Sequence, residues 1–407
     1  MHRRLLLKSL GTLGAGSLAL GGTRLWAADA PANPSTPRFL LVFLRGAYDA
    51  ANLLVPYSAP FYYEARPNIA VPAPGQAALA ATALDGSWGL APAVAASMGP
   101  LWAQGQLAFV PFAGCADTSR SHFETQDRIE LGQADNGTRD FRSGFMNRLA
   151  AALGANTGPS RLEAMAFTDQ VPLTLRGPVP VANQALRNLG KPAFSPPQAQ
   201  AIERMYAGTR LATQVSGGFK VRDEVARDMA DEMEAASRNA IGSKGFALEA
   251  QRVARLMRDR VSLGFIDVGG WDTHVAEGGA SGALASRLTE LGQGLATFAT
   301  EMGPQWAHTT VVVLSEFGRT FRENGNRGTD HGHGSAYWVL GGGLRGARIA
   351  GEQVALGRDT LFQNRDWPVL NDYRALLGGL FTRMWGLSPS QIDGIFPGAR
   401  PRDLGLV

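Results

Sequence analysis

Cysteine is nearly missing from this 407-residue chain: Cys115 is the only one. No internal disulfide can form, and without a cysteine pair a thiol redox enzyme is a poor reading. Stability must come from the core, and an isolated cysteine reads as a small buried residue rather than a nucleophile. Long apolar runs are lacking too. No stretch approaches the ~20 residues that spanning a bilayer requires, so no stable membrane span is expected in the mature chain. Excess charge of one sign is equally scarce: of a net +4, residues 1–30 carry +3, which leaves no basic footprint for nucleic acid. Histidine is rare, with six in all: His2, His122, His274, His308, His331 and His333.

What is present begins with a leader, "MHRRLLLKSLGTLGAGSLALGGTRLWAADA". Arg3 and Arg4 precede Leu5–Leu7, and a glycine-diluted, mildly apolar run ends at the small-residue site Ala28-Asp29-Ala30. The segment resembles a twin-arginine export signal cleaved near Ala30. The expectation is a chain handled by the twin-arginine export machinery and delivered to the bacterial periplasm or beyond.

With 45% apolar and 18% charged residues, the remainder, 31–407, reads as a single globular domain with a sizeable core. "RFLLVFLRG", "QLAFVPFAG", "SLGFIDVGG" and "TTVVVLSEFG" are continuous apolar runs, as expected of strands buried on both faces. They alternate with helix-periodic stretches, which predicts an α/β fold: a mostly parallel sheet flanked by helices. "AYWVLGGG" is a further strand candidate, and "NDYRALLGGLFTRMWG" reads as an Asn-capped terminal helix. Residues 195–260, polar and charge-rich, are expected to form a helical insertion.

In such sheets ligands gather outside the carboxyl ends of the strands. "RGAYDAAN", "DTSRSHFETQD", "DVGGWDTH" and "SEFGRT" fall there, with "GTDHGHG" just beyond. In an extended segment Asp272 and His274 point to one side, and the same spacing joins His331 to His333. Together they offer oxygen and nitrogen ligands for zinc or a similar divalent ion, with Asp330 beside them as a further candidate. Asp330 also suits a place beside His331 or His333, orienting the ring. Ser121, at the start of a helix, has free backbone amides behind it and is the first choice of nucleophile, with Thr118 and Ser119 as alternatives. His122 and Glu316 complete the candidate catalytic set. Arg45, Arg120 and Arg319 are candidates to clamp a phosphate- or sulfate-like group, which makes an anionic small molecule or polymer the expected substrate.

These residues carry a resemblance. "LVFLRGAYDAANLLVP", "SRSHFETQD", "GGWDTH", "VVVLSEFGRT", "TDHGHGSAYWVLGGGLRG" and "NDYRALLG" resemble the DUF1501 family, which is grouped with the alkaline phosphatase and sulfatase superfamily. The resemblance implies an alkaline phosphatase-like fold and a hydrolase or transferase of phosphate or sulfate esters, using a hydroxyl nucleophile between two divalent metals. By motif, Asp272, His274 and a histidine of the 331–333 pair would hold one metal, with Ser121 near the usual nucleophile position. The chain departs from the superfamily pattern where Arg45-Gly46 and Glu316-Phe317 stand in place of metal-binding residues. Either Asp49 and Glu316 rebuild a second site, or Arg45 pairs with Glu316 and replaces the metal with a fixed charge. The competing expectation is a binding protein that keeps the fold and has lost hydrolysis.

Overall fold

The computed structural model describes residues 35–134, 139–154, 163–186, 196–219 and 245–407. The leader and the charge-rich segment 220–244 lie outside the described residues. The chain divides into two compact units, and all described residues except 196–219 belong to one of them. In the other unit the described part includes the helix Pro196–Tyr206.

The main unit is α/β. Its strands, in chain order, are β1 (Arg38–Leu44), β2 (Leu54–Val55), β3 (Thr82–Ala83), β4 (Gly89–Leu90), β5 (Leu107–Gly114), β6 (Glu163–Ala166), β7 (Ala182–Asn183), β8 (Val261–Val268), β9 (Thr309–Ser315), β10 (Ser335–Leu340), β11 (Arg348–Ile349) and β12 (Asn371–Asp372). Nine of them form one sheet in the order β11-β5-β10-β9-β1-β8-β6-β7, with β12 also pairing β5; β2, β4 and β3 make a small second sheet. Every pairing in the large sheet is parallel except those of β10, which runs antiparallel to both β5 and β9.

The apolar runs follow from burial on both faces. Every residue of β1, β5, β9 and β10 is buried. Alternate side chains serve opposite layers, as a pleated strand requires. Phe39, Leu41 and Phe43 join Val110, Val312, Leu314 and Tyr337 in a cluster with Ile129, Phe145, Leu377 and Phe396. Leu40 and Ile266 instead face Phe246, Val253, Leu295 and Phe298. Burying one such side chain is worth about 1.5–3 kcal/mol, so both layers hold the sheet.

The helices beside this sheet are α1 (Pro60–Ala65), α2 (Pro92–Ala103), α3 (His122–Leu131), α4 (Phe145–Ala152), α5 (Phe246–Asp259), α6 (Ala283–Glu301), α7 (Tyr373–Trp385) and α8 (Pro389–Ile395). The α5 helix, within the stretch expected to be an insertion, lies in the main unit and packs on α6 and β8. Ser121 is the N-cap of α3, as its sequence suggests. The α7 helix, expected to be the terminal one, is followed by α8 and is capped by Asp372 rather than by an asparagine. Asn371 is used one step earlier, pairing β12 with β5 and holding Glu352 through its side chain. None of the described helices is long and apolar enough to cross a membrane.

The reversed direction of β10 places the site. The loops leaving β1, β5, β8 and β9 emerge at one edge of the sheet. Because β10 runs the other way, it is the loop entering it, residues 328–334, that reaches the same edge.

Candidate functional site

At that edge five loops meet. Gly46, just after β1, has φ +116°, and a Cβ on it would stand 2.8 Å from the Asp272 amide nitrogen, so only glycine lets this loop lie against the one after β8. Gly318 is just as tightly placed: its Cβ would fall 1.8 Å from the Gly334 carbonyl oxygen. That contact lets residues 318–320 pair with the histidine loop, through Gly332 N to Gly318 O at 2.8 Å and Thr320 N to Asp330 O at 2.9 Å.

The loops bring Asp272, His274 and His331 together. Asp272 Oδ1 lies 2.9 Å from His274 Nε2 and 3.2 Å from His331 Nε2, and the two Nε2 atoms are 3.1 Å apart. On the other side of the carboxylate His122 Nε2 is 3.5 Å from Asp272 Oδ2, buried and without a hydrogen-bond partner. His122, Asp272 and His331 also present ligand atoms within 4.8 Å of one another, a looser set than the His274 triangle.

Each ring's other nitrogen is already engaged. His331 Nδ1 donates to the Arg120 carbonyl at 2.9 Å, where Arg120 itself adopts a left-handed φ of 54°. His274 Nδ1 meets Asp330 Oδ1 at 3.2 Å, and Asn324 Nδ2 steadies that carboxylate at 3.1 Å. His122 Nδ1 donates to Glu316 Oε1 at 2.7 Å. A carbonyl or carboxylate can only accept, so each Nδ1 carries the hydrogen and each neutral ring offers an Nε2 lone pair. Lone pairs facing a carboxylate at about 3 Å repel unless a cation lies among them. Tetrahedral zinc with bonds of about 2.0–2.1 Å has ligand edges of about 3.3 Å, so Asp272, His274 and His331 fit such an ion.

Two charged groups are fully buried beneath them. Arg319, with no side-chain exposure, donates to Asp272 Oδ1 at 2.6 Å and to the carbonyls of Ala47, Gly46 and Trp271. Burial alone would raise the Asp272 carboxyl, but the guanidinium and the His331 contact hold it at about 2. Burial likewise opposes ionisation of Glu316, yet hydrogen bonds from His122, Gln126 and the Gly46 amide hold it below its ordinary value. The Glu316 contact in turn raises His122, whereas burial and then the neighbouring His122 lower His331.

The other sequence candidates go elsewhere. The chain bends at His333, whose ring lies 4.7 Å from Phe362 and is lowered by burial. Asp49 pairs with the wholly buried Arg66, whose Nη2 reaches Asp49 Oδ1 at 2.9 Å. Arg45 does not pair with Glu316; it meets Asp267 at 2.6 Å and Glu130 at 2.9 Å. Arg120 is held by Asp366 at 2.7 Å. Ser121 Oγ accepts from the Glu124 amide at 3.5 Å, Ser119 Oγ accepts from the Ser121 amide at 3.3 Å, and Thr118 is exposed.

Sequence reasoning missed three supports. Gln126 bridges Arg45 to Glu316 at 2.8 and 2.9 Å; it stands four residues after His122 on α3, a spacing that places both on one helix face. Phe317, noted only as standing in place of a metal-binding residue, packs 5.0 Å from the His122 ring and 5.2 Å from that of His331. Asn324 carried no signal beyond its closeness in sequence to Asp330.

Residues 36–396 match the family described as "Protein of unknown function (DUF1501)". The chain belongs to the DUF1501 family. A search of curated proteins found no match. In this DUF1501 chain the family match spans all five loops that build the cluster.

Proposed function

We propose that this protein is an exported hydrolase of phosphate or sulfate esters that uses a divalent cation, on an alkaline phosphatase-like fold. The observation that carries the reading is the convergence of three lone-pair donors, Asp272, His274 and His331, with each imidazole locked from its far side. These residues would hold the ion, which when bound supplies Lewis-acid polarisation of a phosphoryl or sulfuryl oxygen.

The chain's own groups divide the remaining work. Ser121 Oγ forms the new bond to phosphorus or sulfur as the ester oxygen departs with its bonding pair. Its capping role uses a lone pair and leaves the hydroxyl hydrogen uncommitted. His122 Nε2 takes that hydrogen and returns it to the leaving alcohol, while Glu316 fixes Nδ1–H and steadies the imidazolium. Water then hydrolyses the seryl ester with the same groups and restores Ser121.

The test is zinc calorimetry and metal analysis on the purified chain, with a panel of aryl phosphate and sulfate esters. Expected are tight divalent binding that His331→Ala removes, and turnover that falls about 10²–10⁴-fold in His122→Ala. A chain that binds no divalent metal and turns over no ester sinks the reading. A second reading, a non-catalytic binder, is favoured by Arg319, which already gives Asp272 a counter-charge at 2.6 Å. It predicts that His331→Ala leaves ligand binding intact.

Export rests on Arg3 and Arg4 in the leader. Replacing both by lysine is expected to keep the protein in the cytoplasm, measured by fractionation; unchanged periplasmic delivery removes the twin-arginine proposal.

A further inference from the structure

The guanidiniums named from the sequence are committed elsewhere. Arg45 uses Nε, Nη1 and Nη2 on Asp267, Gln126 and Glu130. Arg120 serves Asp366 and Gln363, and Arg319 is buried with its donors on Asp272 and four carbonyls. A fourth arginine, on a segment that no motif marks, is placed differently.

Residues 361–366 form a tight turn. Gln363 and Asn364 both take a left-handed φ of 53°, and Phe362 and Asp366 pair across it at 2.8 and 3.0 Å. Arg120 pins the turn through Gln363 at 2.7 Å, Arg322 pins it through the Asn364 carbonyl, and the Arg365 carbonyl accepts from the Phe321 amide at 3.0 Å. So held, the turn brings Arg365 to the histidine loop, where Nη2 donates to the His331 carbonyl at 2.9 Å.

That is the one hydrogen bond the Arg365 side chain makes among the described residues. A guanidinium carries five N–H donors in a rigid fork, so most of this one stays open. Its carboxylate neighbour, Asp366 Oδ2, stands 3.8 Å away and already takes two hydrogen bonds from Arg120, at 2.7 and 3.0 Å. The Arg365 side chain is 38% exposed, whereas that of Arg319 has no exposure. Its charge also acts on Asp330 and helps keep that carboxylate ionised. Arg365 thus combines a fixed position, free donors and access from solvent beside a residue of the cation site.

We infer that Arg365 holds the substrate's tetrahedral oxyanion, the phosphate or sulfate group being split, against the cation site. The inference deepens the proposed hydrolase reading and rests on it. An oxyanion that meets a cation on one side and a guanidinium on the other is oriented by both, and the fork matches two of its oxygens at once.

The test uses the full chain loaded with zinc, freed of excess metal and titrated at pH 8 with inorganic phosphate and, separately, inorganic sulfate. Arg365→Gln should weaken the better-bound anion roughly 10–100-fold, the worth of charge-assisted hydrogen bonds, while zinc binds as tightly as in the parent. Glutamine retains an N–H for the His331 carbonyl, so the loop keeps its anchor. Ester KM should rise by a like factor with kcat changed less. Arg365→Lys keeps the charge without the fork and should fall between. The anion that binds better tells a phosphate ester from a sulfate ester. Arg327→Gln is the control: Arg327 is exposed on the turn before Asp330, its side chain makes no hydrogen bond or ion pair among the described residues, and its loss should leave anion affinity unchanged.

Anion affinity unchanged in Arg365→Gln, or lost equally in Arg327→Gln, overturns the inference. So does a fall in zinc affinity with KM unmoved, which would make Arg365 only a support for His331. Each of these leaves the hydrolase reading standing. Failure of zinc binding and of all turnover removes both.

Discussion

Asp272→Asn is expected to abolish tight divalent binding and to lower ester turnover about a thousandfold, because a Lewis acid contributes several kcal/mol and each 1.36 kcal/mol is tenfold in rate. The substitution changes one atom in the carboxylate that four side chains share. Its Oδ1 is the common neighbour of Arg319, His274 and His331, and its Oδ2 faces His122. Asparagine keeps the size and one acceptor for Arg319, so the fold should survive, with circular dichroism unchanged. Zinc titration and turnover are the measurements. A variant that binds zinc as tightly as the parent would place the ion elsewhere, and the roles of His274 and His331 would go with it.

The second large effect lies outside the cluster, where Arg66 and Asp49 form a buried pair with side-chain exposures of 0% and 2%. Arg66→Met is expected to lower stability by about 3–5 kcal/mol, since an uncompensated buried carboxylate remains. A native domain has only about 5–15 kcal/mol to lose. Urea denaturation measures it, and Asp49→Asn added to Arg66→Met should recover part of the loss.

Glu277 sharpens this test. It is buried beside Asp49, its Oε2 accepts from Thr273 and Thr329, and burial followed by the Asp49 charge pushes it up to about 9. Below about 4.5 native and unfolded chains both hold the proton. Between 4.5 and about 9 only the native chain holds it, so this group's contribution to stability is lost as pH rises through that window. Glu277→Gln should therefore stabilise the protein at pH 8 and flatten the pH dependence, the opposite sign to Arg66→Met. An unchanged dependence in Glu277→Gln would show that Glu277 is ionised in the native state.

Particular residues show what the sequence could disclose. The buried strands were legible because burial on both faces leaves no room for polar positions, and Ser121 was legible because a cap has a strong local preference. Asp272, His274 and His331 were legible as a set because residues after parallel strands share one edge. Asp49 and His333 have the same chemistry and similar spacing, yet one meets Arg66 from α1's end and the other follows a bend toward Phe362. Those partners lie 17 and 29 positions away along the chain, and no short-range pattern announces them. The partners of Arg45 and Arg120 were illegible for the same reason: a guanidinium pairs with whichever carboxylate the fold delivers, and Glu130, Asp267 and Asp366 come from distant elements.

The reversed strand β10 joins β5 to β9, and through it β5, β11 and β12 attach to the rest of the sheet. The same segment delivers His331 from its leading end. A chain arrested before residue 331 thus leaves β5 unjoined to the strands β9-β1-β8-β6-β7 and lacks one of the three ligands. Joining of β5 to those strands and completion of the cluster are one event, so the cluster cannot be whole in a molecule whose sheet is not.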